Sequence, residues 1–375
     1  MNITRSTFIR SLIPGALSAA MLPNLARAAS GTGGVTDGRV LVNTSLGPMF
    51  LVKKGGQVIG VEPLKQDGQP WKLLDDMPDR LYNQARIKAP MVRKDFLAKR
   101  EKSNRSNRGS RDFVEVSWDD ALKLVADEMS RVKAEYGNAS LHRGKSSWAS
   151  NHAHFYRTEA MLQRFLNGFG GSSTFFGNYS NQAVSEILPA VAWSSPGAAS
   201  DWPVIHANAE LIVLWGANPL NTTRILSGRY ATNAWYEVKK RGIEVIAIDP
   251  MKSETIKEFG CEWLPIRPNT DVALALGMMH TLLSENLHDK KFIEGFTKGF
   301  KDFEPYLMGA KDGTPKTADW AAAITGIPAD KIRDLTRKMA KTRTTIACGW
   351  STQRQHHGEQ AAWSLVALGA LLGEI

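Results

Sequence analysis

The sequence predicts an α/β protein, with a small β-rich N-terminal part ahead of a doubly wound parallel sheet. Three observations lead there. AELIVLWGANPLNT (209–222), GIEVIAIDP (242–250) and RTTIACGWSTQRQ (343–355) are apolar runs that each pass abruptly into a polar turn. Segments of helical period separate them, the clearest being TDVALALGMMHTLLSENL (270–287). Residues 39–62, RVLVNTSLGPMFLVKKGGQVIGVE, instead alternate apolar and polar positions around GP and GG. Uninterrupted Val/Ile/Leu strands separated by helices indicate a parallel sheet buried on both faces. Alternation between tight turns indicates an antiparallel meander.

Taken in order, the chain opens with a segment that is not part of the fold. Residues 1–28 carry Arg5 and Arg10, an apolar stretch from Leu12 to Leu25, and Ala26-Arg27-Ala28. That is the form of a signal peptide with an A-x-A cleavage site, and Pro14, Gly15 and Pro23 argue against a buried helix. TRSTFIR resembles a twin-arginine export box with Ser6 at the second arginine, so a periplasmic destination by that route is expected. Residues 29–90 are assigned to the β-rich domain and 91–200 to a mixed α/β domain. In the latter, Ser117 caps a helix with Asp120 at its third position and Gly137 as its stop. Ala121, Leu122, Val125, Met129 and Val132 fall on one face of that helix. A second helix is expected over HFYRTEAMLQRFLN (154–167), before a glycine-rich loop that ends at Ser180. Residues 201–375 form the αβα domain.

A formal charge of +10 raises nucleic acid as a partner, but the excess is dispersed. Its one dense run, RKDFLAKREKSNRSNRGSRD (93–112), lacks interleaved aromatics and reads as a solvated loop. No nucleic-acid partner is expected, and beyond the leader no apolar run is long enough to span a bilayer. The two cysteines, Cys261 and Cys348, lie in or beside apolar segments and read as buried free thiols. Without a C-x-x-C cluster this chain offers no cysteine-ligated iron–sulfur or zinc site.

Ligands of doubly wound sheets sit beyond the carboxyl ends of the strands. Asn218 to Thr222, Asp249 to Ser253 and Trp350 to Arg354 should therefore line one site. A nicotinamide site is disfavoured, because GFGGSS (168–173) lacks the third glycine of the dinucleotide fingerprint and follows a helix. Serine hydrolase chemistry is disfavoured too, since Ser180 has no nucleophile elbow and no distinctive histidine base. On residue pattern alone, Ser180 reads as a helix N-cap.

GNYSNQAVSEILP, LIVLWGANPLNT, IAIDPMKSETIKEFG, PNTDVALALG and GWSTQRQHHGEQ occur in that order. Together they resemble the N-terminal half of the dimethyl sulfoxide reductase family of molybdenum enzymes, in its trimethylamine-N-oxide, biotin-sulfoxide and methionine-sulfoxide reductase branch. The resemblance implies αβα (Rossmann-like) domains of the molybdopterin oxidoreductase type and a Mo-bis(molybdopterin guanine dinucleotide) cofactor. It implies oxygen-atom transfer from an S-oxide or N-oxide substrate, with two-electron reduction and release of water. Electrons would come from a membrane-anchored multihaem c-type cytochrome. Ser180 matches the family's metal ligand, a hard oxygen donor that suits a high-valent metal already held by soft sulfurs. Such a Lewis acid deprotonates the hydroxyl itself, so no histidine base is needed.

By the same resemblance, Trp148 in KSSWAS flanks the metal and a pterin, and Ser150 lies with it on the cofactor. Asn221, Thr222, Asp249, Pro250, Asn269, Thr270 and Asp271 match contacts to the guanine-nucleotide ends, Asn269 standing where relatives have glycine. Thr270 and Asp271 read equally as a helix cap. Trp350, Ser351, Gln353 and Arg354 match the turn that reaches the pterin and the substrate funnel, and His357 replaces a neighbouring aromatic. Ser146 replaces a tyrosine that gives several relatives a hydrogen-bond donor beside the metal. The wider pocket predicts that S-oxides are used well alongside N-oxides. Family chains are longer, and this one stops at ALGALLGEI in an amphipathic helix, so an N-terminal portion is expected. The alternative is a non-catalytic periplasmic α/β binding or accessory protein.

Overall fold

Two glycines with left-handed backbone, Gly55 (φ 57°) and Gly56 (φ 76°), reverse the chain near its start. A two-residue hairpin turn of type I′ needs positive φ at both positions. In a computed structural model, described here for residues 37–44, 47–64, 74–106, 109–144, 158–175, 177–178, 180–192, 200–222 and 230–374, this turn joins two strands of the expected meander. β1 (Gly38–Thr44), β2 (Gly47–Lys54) and β3 (Gln57–Pro63) form an antiparallel sheet in that order. The expected leader, residues 1–28, lies outside the described residues. No helix among the described residues is long and apolar enough to cross a membrane.

The chain divides into two compact units, Met1–Phe176 and Gly177–Ile375. In the first, α1 (Met77–Tyr82) precedes β4 (Met91–Arg93), α2 (Lys94–Lys99) and β5 (Phe113–Glu115), with β4 and β5 antiparallel. The basic run thus holds α2 and a 3₁₀ turn, Arg100–Lys102, as well as loop. α3 (Trp118–Tyr136) starts as its sequence predicts, the Ser117 hydroxyl accepting from the Asp120 amide at 3.1 Å. It ends at Gly137 (φ 76°). Its apolar stripe is half-buried apart from Val125, which is exposed. β6 (His142–Arg143) pairs in parallel with β7 (Ser173–Thr174) around α4 (Thr158–Gly168). The start of that expected helix, 154–157, lies outside the described residues.

The second unit begins with α5 (Gln182–Ala192) and α6 (Trp202–Asn208), then alternates strand and helix. β8 (Leu211–Trp215) leads through α7 (Pro219–Thr222) and α8 (Tyr230–Lys240) to β9 (Glu244–Ile248). α9 (Glu254–Phe259) leads to β10 (Glu262–Leu264). Five helices follow: α10 (Asp271–Ser284), α11 (Lys290–Phe296), α12 (Phe300–Leu307), α13 (Ala318–Thr325) and α14 (Ala329–Met339). Then come β11 (Thr344–Cys348) and α15 (Glu359–Leu372). All pairs in the sheet are parallel, in the order β10-β9-β8-β11. The chain therefore builds outward from β8 on one side and returns to its other side with β11. The order reverses between β8 and β11, and that is where such sheets open a binding crevice.

Alternate residues of the strands feed two cores. Leu211, Val213, Trp215, Ile246 and Ile248 pack with Leu274, Met278, Leu335 and Leu368 from α10, α14 and α15. Ile212, Leu214, Val245 and Ala247 pack on the other face with Trp235, Val238 and Ile256 from α8 and α9. Both faces are covered, which is why β8 is buried at every residue. Both cysteines are free; Cys261 is half-buried, and Cys348, the last residue of β11, is exposed as a residue although its thiol is enclosed enough for burial to push it up to about 11. The C-terminal helix ends at Leu372, with Gly373 (φ 72°) turning the chain out of it.

Candidate active site

Two glycines make the reversal point possible. The Gly349 amide donates to the Trp215 carbonyl at 2.8 Å, and the Ser351 hydroxyl donates to the Gly216 carbonyl at 2.9 Å. These bonds draw the turn after β11 onto the turn after β8. A Cβ on Gly349 would lie 1.9 Å from the Gly216 oxygen, so no other residue fits without moving backbone. Gly216 is itself left-handed, at φ 57°.

Asn218 ties in the third strand end. Its Oδ1 accepts from the Thr255 hydroxyl at 2.6 Å and the Thr255 amide at 3.3 Å, while the Thr255 oxygen accepts from the Leu220 amide at 3.1 Å. The turns after β8 and β9 are thereby locked through two side chains. Asp249, at the end of β9, accepts from the Met251 amide at 2.8 Å and is half-buried. Burial pushes its carboxyl above the usual range, and the Met251 N–H offsets only part of that. The carboxylate is therefore short of donors.

Ser180 stands at the head of α5. The helix begins at Gln182, so Ser180 lies in the turn before it and is not its N-cap. The Asn178 side chain accepts the Ser180 amide at 2.9 Å and donates to Asn181 at 2.7 Å, an Asx turn that shapes the loop. Gln353, buried, reaches this loop from the turn after β11: its Nε2 donates to the Ser180 carbonyl at 2.5 Å and its Oε1 accepts from Val184 N–H at 3.0 Å. The half-buried Ser180 keeps its hydroxyl free of any hydrogen-bond partner among the described residues.

Among the other residues singled out in the sequence, Asn221, Thr222, Pro250, Asn269, Trp350, Ser351 and Arg354 are exposed. Asn269 adopts φ 64°, a left-handed conformation that asparagine tolerates better than most side chains. The Thr270 hydroxyl donates to the Arg267 carbonyl at 2.7 Å and caps no helix N–H. Asp271 is buried, and its Oδ1 accepts the Trp215 indole N–H at 2.8 Å, a structural duty that sequence reasoning missed. Asn178 and Thr255 were missed as well. An Asn followed two residues later by the serine was the available signal for the first. His357 sits at φ 56° with its ring centroid 3.8 Å from that of His356. Ser146, Trp148 and Ser150 lie outside the described residues. A separate hollow of about 620 Å³ in the first unit, lined by Arg93, Phe96, Arg100, Arg105 and Phe113 among others, contains none of these positions.

Comparison with known proteins decides the family. Residues 86–375 match the model of the molybdopterin oxidoreductases. The chain belongs to the molybdopterin oxidoreductase family. Over 347 residues it is 42% identical to a dimethyl sulfoxide/trimethylamine N-oxide reductase of Cereibacter sphaeroides, covering 91% of this chain and 42% of that protein. A reductase of the same description from Rhodobacter capsulatus is 40% identical, over 97% of this chain and 45% of its own length. A trimethylamine-N-oxide reductase of Haemophilus influenzae is 40% identical over 88% and 40%. The chain thus spans less than half the length of these relatives. Acetylene hydratase from Pelobacter acetylenicus superposes with a TM-score of 0.59 at 21% identity, over 90% of this chain and 44% of that one, a likeness of fold alone.

Molybdopterin oxidoreductases hold a molybdenum–pterin cofactor, and the residues present fit one. Ser180 is half-buried, and its oxygen has no hydrogen-bond partner among the described residues. No cluster of three His, Cys, Asp or Glu able to hold a metal occurs among the described residues, so a metal there would rely on this oxygen and on ligands the cofactor brings. The strand ends offer an under-donated carboxylate and exposed amide, hydroxyl, indole and guanidinium groups.

Proposed function

We propose that the chain forms the metal-ligand portion of a periplasmic molybdenum reductase of S-oxides and N-oxides, with Ser180 as the protein ligand. The Ser180 hydroxyl, without a partner among the described residues and in a loop tied to the switch point of a parallel sheet, is the observation that carries this reading. The names of its relatives, which reduce dimethyl sulfoxide and trimethylamine N-oxide, support it. When bound, the cofactor supplies the two-electron centre for oxygen-atom transfer. The rest falls to the chain.

Ser180 would hold the metal through its deprotonated oxygen, and by the family resemblance Trp148, Ser146 and Ser150 would contact the same cofactor. Asp249 accepts hydrogen bonds from a guanine or ribose, which relieves its shortage of donors. Asn221, Thr222, Pro250, Asn269 and Thr270 complete that nucleotide contact, the cofactor being the bis(molybdopterin guanine dinucleotide) form. Asp271 acts there by holding Trp215. Trp350, Ser351, Gln353 and Arg354 form the wall nearest the pterin and the substrate path, where Arg354 orients the S–O or N–O dipole. A membrane-anchored multihaem c-type cytochrome delivers electrons after export by the twin-arginine route.

The test is Ser180→Ala in the cofactor-loaded protein, read by molybdenum content, the metal's electron paramagnetic spectrum, and turnover with reduced viologen. Dimethyl sulfoxide, methionine sulfoxide and trimethylamine N-oxide form the substrate panel. The expected result is an altered spectrum and lost turnover. An unchanged spectrum with full turnover would overturn the assignment. Strict N-oxide selectivity in the parent protein would refute the role given to Ser146.

A further inference from the structure

At the start of α5 the backbone bonds run in steps of four. Gln182 N–H donates to the Asn178 carbonyl at 2.8 Å, and Ser185 N–H to the Asn181 carbonyl at 2.8 Å. Two bonds lie between these in the series, and the second would join Val184 N–H to the Ser180 carbonyl, four residues back. It is not made. Val184 N–H donates to Gln353 Oε1 at 3.0 Å, and the Ser180 carbonyl accepts from Gln353 Nε2. A primary amide from 169 residues away thus stands in the helix ladder between the two groups that would otherwise bond each other.

The insertion satisfies both groups. Val184 N–H is one of the first donors of the helix and has no partner of its own in the turn before it, since the Asn181 side chain is engaged with Asn178. Opening one rung with an inserted group bends or terminates a helix. Here it stops the helix short of Ser180, so the serine side chain is held at the mouth of the turn and not wound into α5. Gln353 is buried and its turn is anchored by Ser351 to Gly216, so the wedge is fixed to the sheet.

We infer that Gln353 is a positioning residue for Ser180: its amide, spliced into the first turn of α5, keeps the serine oxygen out of the helix and registers it against the ends of β8 and β11. This deepens the proposed function and rests on its assignment of Ser180. Without the wedge, Val184 N–H and the Ser180 carbonyl have each other as partners, and the helix closes by one turn over the serine.

Two variants and two readouts test this. In Gln353→Leu, with serine and asparagine ¹³C labels in the full chain and no cofactor, the Cα resonances of Ser180 and Asn181 should move to helical values. In the loaded protein the same variant should retain molybdenum several-fold less well and broaden the metal's paramagnetic spectrum. Gln353→Glu separates positioning from packing. As a carboxylate it accepts from Val184 N–H but repels the Ser180 carbonyl. Protonated, it donates as the amide does, so parent-like resonances should return as pH falls through the carboxyl pKa. Unmoved Ser180 resonances in Gln353→Leu, or no pH-dependent return in Gln353→Glu, would overturn the wedge. If the resonances move as expected while Ser180→Ala leaves the metal spectrum unaltered, the wedge stands as a helix device and the metal assignment of Ser180 is what fails.

Discussion

Replacing Gly349 by alanine adds one methyl group where the turns after β8 and β11 touch. Gly349 has φ −80° and ψ 144°, a conformation open to any residue, so the whole effect is steric. The added carbon would sit 1.9 Å from the Gly216 oxygen, 2.7 Å from its carbonyl carbon and 3.2 Å from Ala217 Cα, all backbone atoms that cannot rotate away. Relief requires the two turns to part by roughly 1 Å or more, given carbon–oxygen contact distances near 3.5 Å. That strains the bonds from Gly349 N–H to Trp215 and from Ser351 to Gly216. Overpacking of a well-packed site costs ~1–3 kcal/mol, and a clash with fixed backbone belongs at the upper end. For a unit of this size ~3 kcal/mol lowers Tm by about 6–12 °C. Differential scanning calorimetry measures it. Gly295→Ala is the control of opposite sign: Gly295 lies within α11, an added Cβ meets nothing within 4 Å, and helix propensity favours alanine by up to ~1 kcal/mol. If Gly349→Ala melts within about 2 °C of the parent, the reasoning from close approach is wrong.

Asp271→Leu leaves the fully buried Trp215 indole N–H without an acceptor and should cost ~1–3 kcal/mol, whereas Asp271→Asn keeps an acceptor and should cost well under half as much; urea denaturation of both separates this structural duty from any contact to a nucleotide. Lys316, almost fully buried, donates to Asp312 at 2.6 Å and thereby holds the Asp312 carboxyl below its usual range. A lowered folded-state pKa contributes stability that is present above the unfolded value near pH 4 and lost as pH falls through the folded value. Lys316→Met should therefore flatten the acid limb of Tm against pH below about pH 4 while leaving the neutral limb parallel to the parent's; an unchanged acid limb would show that this pair contributes nothing to acid sensitivity.

The sheet was legible because its signal is local. Leu211–Trp215 and Glu244–Ile248 are apolar runs ending in turns, and a strand buried on both faces has no other composition available. From those runs the strand-end rule pointed to Asn218, Asp249 and the turn at Trp350 without further help. The role proposed for Ser180 rests on resemblance, because a half-buried serine before a helix carries no period and no partner in sequence. Two burial outcomes lay beyond the sequence pattern. Val125 shares the apolar stripe of α3 yet is exposed, since period alone fixes which residues share a face and not whether anything covers it. Cys348 ends the last strand of the sheet among the described residues, so its backbone side is open while its thiol is enclosed. The Gln353 wedge was invisible for a different reason. It replaces a backbone bond with a side-chain amide from a distant turn, and neither end of that contact alters the local pattern.

The polar residues at the strand ends divide by what their side chains already do. Asn218, Thr255, Gln353, Asp271 and Ser351 direct polar atoms at the chain's own backbone and side chains, and each bond links segments far apart in sequence. Ser180, Asn221, Trp350 and Arg354 have no such side-chain bond among the described residues. Ligand binding at a rigid site avoids the cost of ordering it, so the first group determines how sharply the second is presented. Substitutions in the two groups should accordingly differ in kind. Loss of a tie such as Asn218→Ala lowers stability by ~1–3 kcal/mol and loosens the turns after β8 and β9 together, because the Thr255 groups it held are left unpaired. Loss of a free group such as Asn221→Ala leaves the melting temperature in place and acts on cofactor retention alone, and a drop in Tm of more than a few degrees for that exposed position would contradict the division.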